Sequence, residues 1–228
     1  DKKIVFAVKK DVPYLEDMIV KLEKAKSLCI VGCGFIGVEI AEECRRRRPD
    51  ISIYIVEMLS HCLQLVYDRE FCINAEKVLK EQDINLLLNE QVVELLGDDA
   101  VKKVKLSGEK EINADMVIMG IGAAANTGLA EAAGLEIGPN KAIQVNRYMQ
   151  TSDSDIFACG DCAEKVSFFD GKPSCLRLAS IATMESRMAG ANLFSVKRVN
   201  LGVIGVYSTV LGGSTFAAAG LSKAQAEA

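Results

Sequence analysis

Residues 27–57 read SLCIVGCGFIGVEIAEECRRRRPDISIYIVE, and they decide how the chain folds. Leu28, Cys29, Ile30 and Val31 form an unbroken apolar run, as expected of a strand covered on both faces in a parallel sheet. Gly32-Cys33-Gly34-Phe35-Ile36-Gly37 follows, with the spacing G-x-G-x-x-G. The next residues have helical periodicity, with Ile36, Ile40, Ala41 and Cys44 on one side and Glu39, Glu42 and Glu43 among the polar positions. Pro49 and Asp50 end that helix, and Ile51 to Val56 read as a second strand closed by Glu57.

Each glycine has a physical task in this reading. Gly32 permits a tight turn out of the strand, where a Cβ would clash. Gly34 lets the backbone approach a diphosphate, and Gly37 lets the helix lie close on the sheet. The first N–H groups of the helix have no partners within it and sit at the positive end of its dipole, so a phosphate fits there. Glu57 lies 20 residues after Gly37, where a carboxylate bonds the two ribose hydroxyls and disfavours a 2′-phosphate. The expected ligand is therefore NAD rather than NADP. Glycine-rich turns are common in loops; here the flanking strands, the helix and the terminal acid agree. Arg45 to Arg48 fall at the far end of the helix, roughly 12 Å or more from the glycines at 1.5 Å per residue, where cations complement a helix C-terminus.

The chain has 228 residues, half of them hydrophobic and a quarter charged, enough for one large or two modest folded units with a sizeable core. A net charge of −4 argues against a broad nucleic-acid surface. Residues 201–221 carry no charge, but five glycines, two serines and two threonines interrupt them, which favours two strands and a turn over a membrane span. No secretory signal is visible at the first residues, so a cytoplasmic protein with reduced thiols is expected.

Ahead of the glycine loop, Ile4 to Val8 read as a strand and Tyr14 to Lys26 as an amphipathic helix. Beyond Glu57, Met58 to Tyr67 are irregular, and Asp68 to Gln82 form a helix with Phe71, Ala75, Val78 and Leu79 on one face. Ile84 to Leu88 form a third apolar strand. Gln91–Leu96, Val101–Leu106 and Lys110–Ile112 form an antiparallel meander, and Asp115–Gly120 a buried return strand. The fold class is α/β: a Rossmann-like domain with a parallel sheet and a three-stranded antiparallel meander. Gly122 ends the return strand, where ligands bind in open α/β sheets; a simple turn glycine is the alternative.

A second informative stretch is TSDSDIFACGDCAE at 151–164. Ile156 to Cys159 read as a brief strand, Gly160 allows close backbone approach, and Asp161 offers a carboxylate that could hold a ligand hydroxyl. Thr127–Ala133 read as a short helix, and Leu176–Asn192 as a longer one rich in small residues, suited to packing closely on a flat neighbour.

Together these segments resemble the pyridine nucleotide–disulfide oxidoreductase family, and within it the NADH oxidases, NADH peroxidases and CoA-disulfide reductases. GCGFIGVE at 32–39 resembles the family's NAD loop, IGAAANTGLAEAAGLEI at 121–137 its G-x-x-P-N segment, and 151–164 its second flavin motif. GVIGVYSTVLGGSTFAAAGLSKAQA at 202–226 resembles the opening of its C-terminal interface domain. The resemblance implies a lead-in strand and helix at 1–26, an NAD-binding domain at 27–141, the C-terminal part of an FAD-binding domain at 142–200, and the start of a dimerisation domain at 201–228. It also implies a parent enzyme, homodimeric at full length, that passes a hydride from NADH to FAD and on to oxygen, peroxide or a disulfide. By the same resemblance Gly32, Gly34, Phe35, Ile36 and Gly37 hold NAD and Glu39 lies near the nicotinamide and flavin rings. Gly122 would border the NAD cleft, and Gly160 and Asp161 would meet the flavin's ribityl or pyrophosphate region. The family's N-terminal flavin unit, roughly a hundred residues, and its redox cysteine are not in this sequence, which is expected to be an internal piece of a longer flavoenzyme. Ala124 and Ala125 stand where the family usually has Arg-Pro. Two alternatives are an isolated NAD-binding module without turnover and a non-catalytic flavoprotein switch.

Other candidates reduce to structural readings. Cys159-x-x-Cys162 has redox or zinc spacing, but further ligands are not visible and packing is favoured. Cys33, inside the glycine loop, is either a reactive thiol near a helix N-terminus or a spacer, with the spacer favoured; His61, the one histidine, either touches the adenosine side of NAD or is a surface loop residue, the latter favoured, and catalysis does not require it.

Overall fold

The computed structural model describes residues 3–227, which divide into two compact units, one formed by residues up to Gly122 together with Tyr207 onward, the other by Ala123–Val206.

The first unit is built on five parallel strands: β1 (Val5–Ala7), β2 (Ser27–Val31), β3 (Ser52–Glu57), β4 (Ile84–Leu88) and the return strand Met116–Met119, in the order β1, return strand, β2, β3, β4. The alternation of side chains along a strand explains why β2 is apolar throughout. Leu28 and Ile30 face a core shared with Ile53, Ile55, Val38, Ala41 and Leu79, whereas Cys29 faces a second core with Val56, Val104, Leu106 and Val117. Helices α1 (Val12–Leu22), α2 (Phe35–Arg47) and α3 (Arg69–Glu81) cover the first face. The second is covered by an antiparallel meander of β5 (Val92–Leu96), β6 (Lys103–Leu106) and β7 (Glu111–Asn113); the return strand is β8. The expected Rossmann-like α/β architecture with its meander is what the chain forms.

Two helix faces differ from the periodicity reading. In α2 Gly37, Val38, Ala41 and Cys44 are buried while Ile36 is 40% exposed. The sheet-facing position in the first turn belongs to Gly37, and Ile36 is rotated about 100° from it. In α3 the buried face is Cys72, Ala75, Glu76 and Leu79, an i, i+3, i+4, i+7 set, which leaves Phe71 half exposed against the ring of Tyr67.

The arginine run does more than complement a dipole. Arg45 donates to the carbonyls of Gln82, Asp83, Pro49 and Ile51, tying the end of α2 to the turns before β3 and β4. Arg48 reaches the carbonyls of Leu22 and Ala25 and pairs with Asp50. Between the neighbouring strands β8 and β2, Asp115 Oδ2 accepts the amides of Lys26 and Ser27, fixing the start of one against the other.

The second unit begins with α4 (Gly128–Ala132) and has a small core of Ala130, Ile143, Ala158 and Ala163. The strand expected at Ile156–Cys159 is not formed. Only Phe157 pairs, as a single bridge to Gln150, and a 3-10 turn at Gly160–Cys162 follows. A two-residue ladder joins β9 (Lys165–Val166) and β10 (Pro173–Ser174), and α5 (Ala179–Asn192) packs on the 3-10 turn.

The uncharged stretch after Leu201 becomes β11 (Val206–Leu211) and β12 (Ser214–Ala219), a hairpin turning at Gly212-Gly213, followed by the short α6 (Lys223–Ala226). Leu211 and Phe216 of the hairpin complete the core of the first unit. Among the described residues, no helix is long and apolar enough to cross a membrane.

Candidate functional site

The C-terminal ends of β2, β3 and β8 converge with the N-terminus of α2. The amide of Gly32 donates to Val56 O at 2.8 Å and the amide of Gly120 to Val31 O at 2.7 Å. Gly32 has φ +101°, and a Cβ on it would lie 2.6 Å from Gly120 O. A Cβ on Gly37 would lie 2.0 Å from Gly32 O, so the helix approaches the turn more closely than any side chain allows. Around Gly34 the situation is reversed: an added Cβ meets nothing within 4 Å. Gly34 is the N-cap of α2 with no side-chain cap, so open space lies in front of unclaimed helix amides. A diphosphate fits such a place. Gly120, which sequence reasoning passed over, is the floor of this crossing. Its only signal was a glycine closing an apolar strand.

Glu57 braces the loop. Its Oε2 accepts the amide of Cys33 at 2.7 Å and its Oε1 the amide of Leu59 at 2.9 Å. Each oxygen retains a lone pair for a further donor such as a ribose hydroxyl. Gly122, at φ +89°, also has open space around it.

On α2, Phe35 stacks on Tyr207 (centroids 5.6 Å, interplanar 10°) and meets the edge of Tyr67 at 5.9 Å. Glu39, one turn on, accepts the hydroxyl of Thr209 at 2.8 Å. Burial pushes the phenols of Tyr67 and Tyr207 up, with the Glu39 carboxylate adding to the effect at Tyr67. The contacts to Tyr207 and Thr209 lie far apart in sequence and left no local trace.

Two side chains have partners that the sequence did not show. Cys33 is not a spacer: it is disulfide-bonded to Cys62, with Cα atoms 4.9 Å apart, which also corrects the expectation of uniformly reduced thiols. His61 lies partly exposed in the loop between β3 and α3, and its Nδ1 lies 2.9 Å from Oε1 of the buried Glu76, which also accepts the amide of Cys62.

In the second unit Asp161 sits exposed on the 3-10 turn beside Asn140, Cys175 and Arg177. Gly160 is held from beneath. Its amide donates to Glu185 Oε2 at 2.8 Å, and its carbonyl accepts from Lys165 Nζ. Lys165 and Glu185 pair at 3.3 Å, both buried. Burial raises the Glu185 carboxyl despite the opposing ammonium. Cys159 and Cys162 are not joined by a disulfide, the Cys162 thiol donating instead to the Cys159 carbonyl, and among the described residues no cluster suited to a metal occurs.

The sequence pattern of the pyridine nucleotide-disulphide oxidoreductases matches residues 6–186. The chain belongs to this family. Among members, an NADH oxidase of Enterococcus faecalis is 33% identical over 92% of this chain and 47% of its own length. A CoA-dependent NAD(P)H sulfur oxidoreductase of Pyrococcus furiosus is 32% identical over 82% of this chain and 41% of its own. The solved NAD-dependent persulfide reductase from A. fulgidus superposes over the whole chain with a TM-score of 0.92 at 30% identity, covering 42% of that protein. The chain thus spans less than half the length of the curated family members it matches.

Proposed function

We propose that this chain is the NAD(H)-binding portion of an FAD-dependent oxidoreductase that passes a hydride from NADH to FAD and on to a small-molecule acceptor: oxygen, peroxide or a disulfide. The observation that carries the reading is the open face of Gly34 at the N-terminus of α2, with Glu57 poised beside it. In this reading the amides after Gly34 hold the diphosphate, with Phe35, Ile36 and Gly37 forming the first turn behind it. Glu57 accepts from the adenosine ribose, and its charge selects NADH over NADPH. Glu39 and Gly122 border the nicotinamide half. Residues 27–141 are the NAD-binding domain, preceded by a lead-in at 1–26.

Residues 142–200 belong to the FAD-binding domain, where Gly160 and Asp161 meet the flavin. The geometry suits that role: the Lys165–Glu185 pair fixes the Gly160 backbone and leaves the Asp161 carboxylate free to accept from a hydroxyl. Bound FAD supplies the two-electron acceptor chemistry; the chain supplies binding and orientation. Residues 201–228 open the dimerisation domain of the full-length homodimer.

This chain by itself binds NADH without turnover, as its span of less than half the curated relatives favours. Calorimetry of the purified chain should show NADH binding, and the preparation should be colourless or nearly so. In a longer form that carries the upstream flavin unit, NADH should bleach the flavin and sustain turnover. A chain that takes up no NADH overturns the proposal.

A further inference from the structure

We propose that Cys33 and Cys62 are a redox-active pair, exchanging with low-molecular-weight thiols, whose state sets the affinity of the glycine loop for NADH. The inference rests on the dinucleotide reading above and adds a covalent modification site to it. Cys33 stands between Gly32 and Gly34, inside the turn whose amides face the diphosphate position. Cys62 lies in the irregular segment between β3 and α3, and the bond joins that segment to the loop. A Cα separation of 4.9 Å lies within the range a disulfide spans without moving the backbone. The six remaining cysteines form no such pair.

The surroundings transmit the state of the bond to the site. The amide of Cys33 is held by Glu57, whose other oxygen holds Leu59, and the carbonyl of Cys33 accepts the amide of Leu63 at 2.9 Å. Loop, acid and segment form one connected frame with the bond across its centre. Leu63 is forced to φ +57°, a conformation that costs a leucine about 1–2 kcal/mol and is kept only where neighbours over-determine it. Opening the bond lets Leu63 relax and the frame loosen.

The sulfurs are buried, but the segment carrying Cys62 runs along the surface, with Met58 66% and Leu65 78% exposed. Local opening of a segment this short brings Cys62 within reach of a small thiol. The chemistry balances with that reagent alone. A thiolate RS⁻ attacks one sulfur; the protein S–S bond breaks, a mixed disulfide forms, and the departing sulfur leaves as a thiolate that takes up a proton. A second RS⁻ attacks the mixed disulfide, releasing RSSR and the other cysteine thiol. The protein gains two electrons and two protons, and two RSH become one RSSR. The reverse exchange reforms the bond.

The oxidised loop is pre-organised for the diphosphate, so it binds more tightly; reduction should weaken NADH binding on the order of fivefold to tenfold. The test uses the full chain equilibrated in buffers of graded glutathione and glutathione disulfide. Acid quench, alkylation and peptide mapping give the fraction of the 33–62 bond, and calorimetry gives the Kd for NADH in each buffer. The Kd should follow the fraction bonded, and Cys62→Ala should bind like the reduced chain and ignore the buffer. The wild-type comparison suffices if that variant does not fold. No 33–62 bond in oxidising buffer overturns the inference, as does a bond that native buffers cannot reduce. Equal, measurable Kd values in both states overturn it while leaving the dinucleotide site intact. Absence of NADH binding in every buffer overturns the dinucleotide reading and this inference together.

Discussion

The carboxylate of Glu57 accepts the amide of Cys33 at 2.7 Å, binding the last residue of β3 to the glycine turn that follows β2. The acid is therefore a part of the loop's own scaffold as well as the group offered to a ribose. Its second oxygen is likewise engaged, by Leu59.

Replacing Glu57 by alanine should have two effects. Two backbone amides lose their acceptor, which should lower stability by about 1–3 kcal/mol. The ribose hydroxyls lose theirs as well, so NADH affinity should fall by about tenfold or more. Melting and calorimetry separate the two. Wild-type affinity in a destabilised Glu57→Ala would show that the acid is scaffold only.

Gly34→Ala and Gly37→Ala should behave in opposite ways. The methyl at 37 is driven into Gly32 O, and since a displaced helix loses its packing, a cost of about 3 kcal/mol or more, or failure to fold, is expected. The methyl at 34 meets nothing, so stability should change by less than about 1 kcal/mol while NADH binding drops. If Gly34→Ala binds NADH normally, the diphosphate is not in front of α2.

The contrast between legible and hidden features has a physical basis. The continuous apolar runs of β2, β3 and β8 could be read directly because both faces of each strand are buried, and the glycine spacing because it answers a local clash. Ile36 and Phe71 lie outside the buried faces because a helical stripe fixes a face only to within a residue, and the neighbour decides the rotation. The Cys33–Cys62 bond, the Arg45 clamp on four carbonyls and the Glu39–Thr209 contact link residues far apart in the chain, where periodicity is silent. Phe157 failed to extend into a strand because a run of four apolar residues specifies burial, and the ladder partner was only one bridge long.

Alkali should destabilise the fold through its buried thiols. Burial pushes the thiols of Cys29, Cys44 and Cys72 up to about 12, 11 and 11 from an ordinary 9.0. Between pH 9 and 11 these groups ionise only in the unfolded chain, which then binds fewer protons than the folded one, so stability falls as pH rises. The contribution is complete below pH 9 and is lost as pH passes through the folded values. The melting temperature should decline across that window, and Cys29→Ala should flatten the decline. At pH 8 the exposed Cys175 should alkylate fastest while these three stay inert. Rapid labelling of Cys29 in the native chain would refute the assignment.

The buried Lys165–Glu185 pair yields the sharpest test of the second unit. Lys165 Nζ reaches the carbonyls of Gly160 and Ala163, and Glu185 holds the Gly160 amide, so each charge is tied to the same turn. Removing one partner leaves the other charge uncompensated in the interior, and Lys165→Met should cost about 3–5 kcal/mol. With the ammonium gone, only the Gly160 amide still opposes the burial that already raises the Glu185 carboxyl. The folded variant then takes up a proton at a pH where the unfolded chain does not, so lowering the pH stabilises it. Part of the loss at pH 7 should return at pH 5, and Lys165→Met/Glu185→Leu should lose that pH dependence. Recovery of the double variant should be incomplete, because the Gly160 amide and carbonyl have lost their partners. Calorimetric melting at the two pH values decides it: a Lys165→Met chain within about 1 kcal/mol of wild type at pH 7 would mean that the turn beneath Asp161 is not held by this pair.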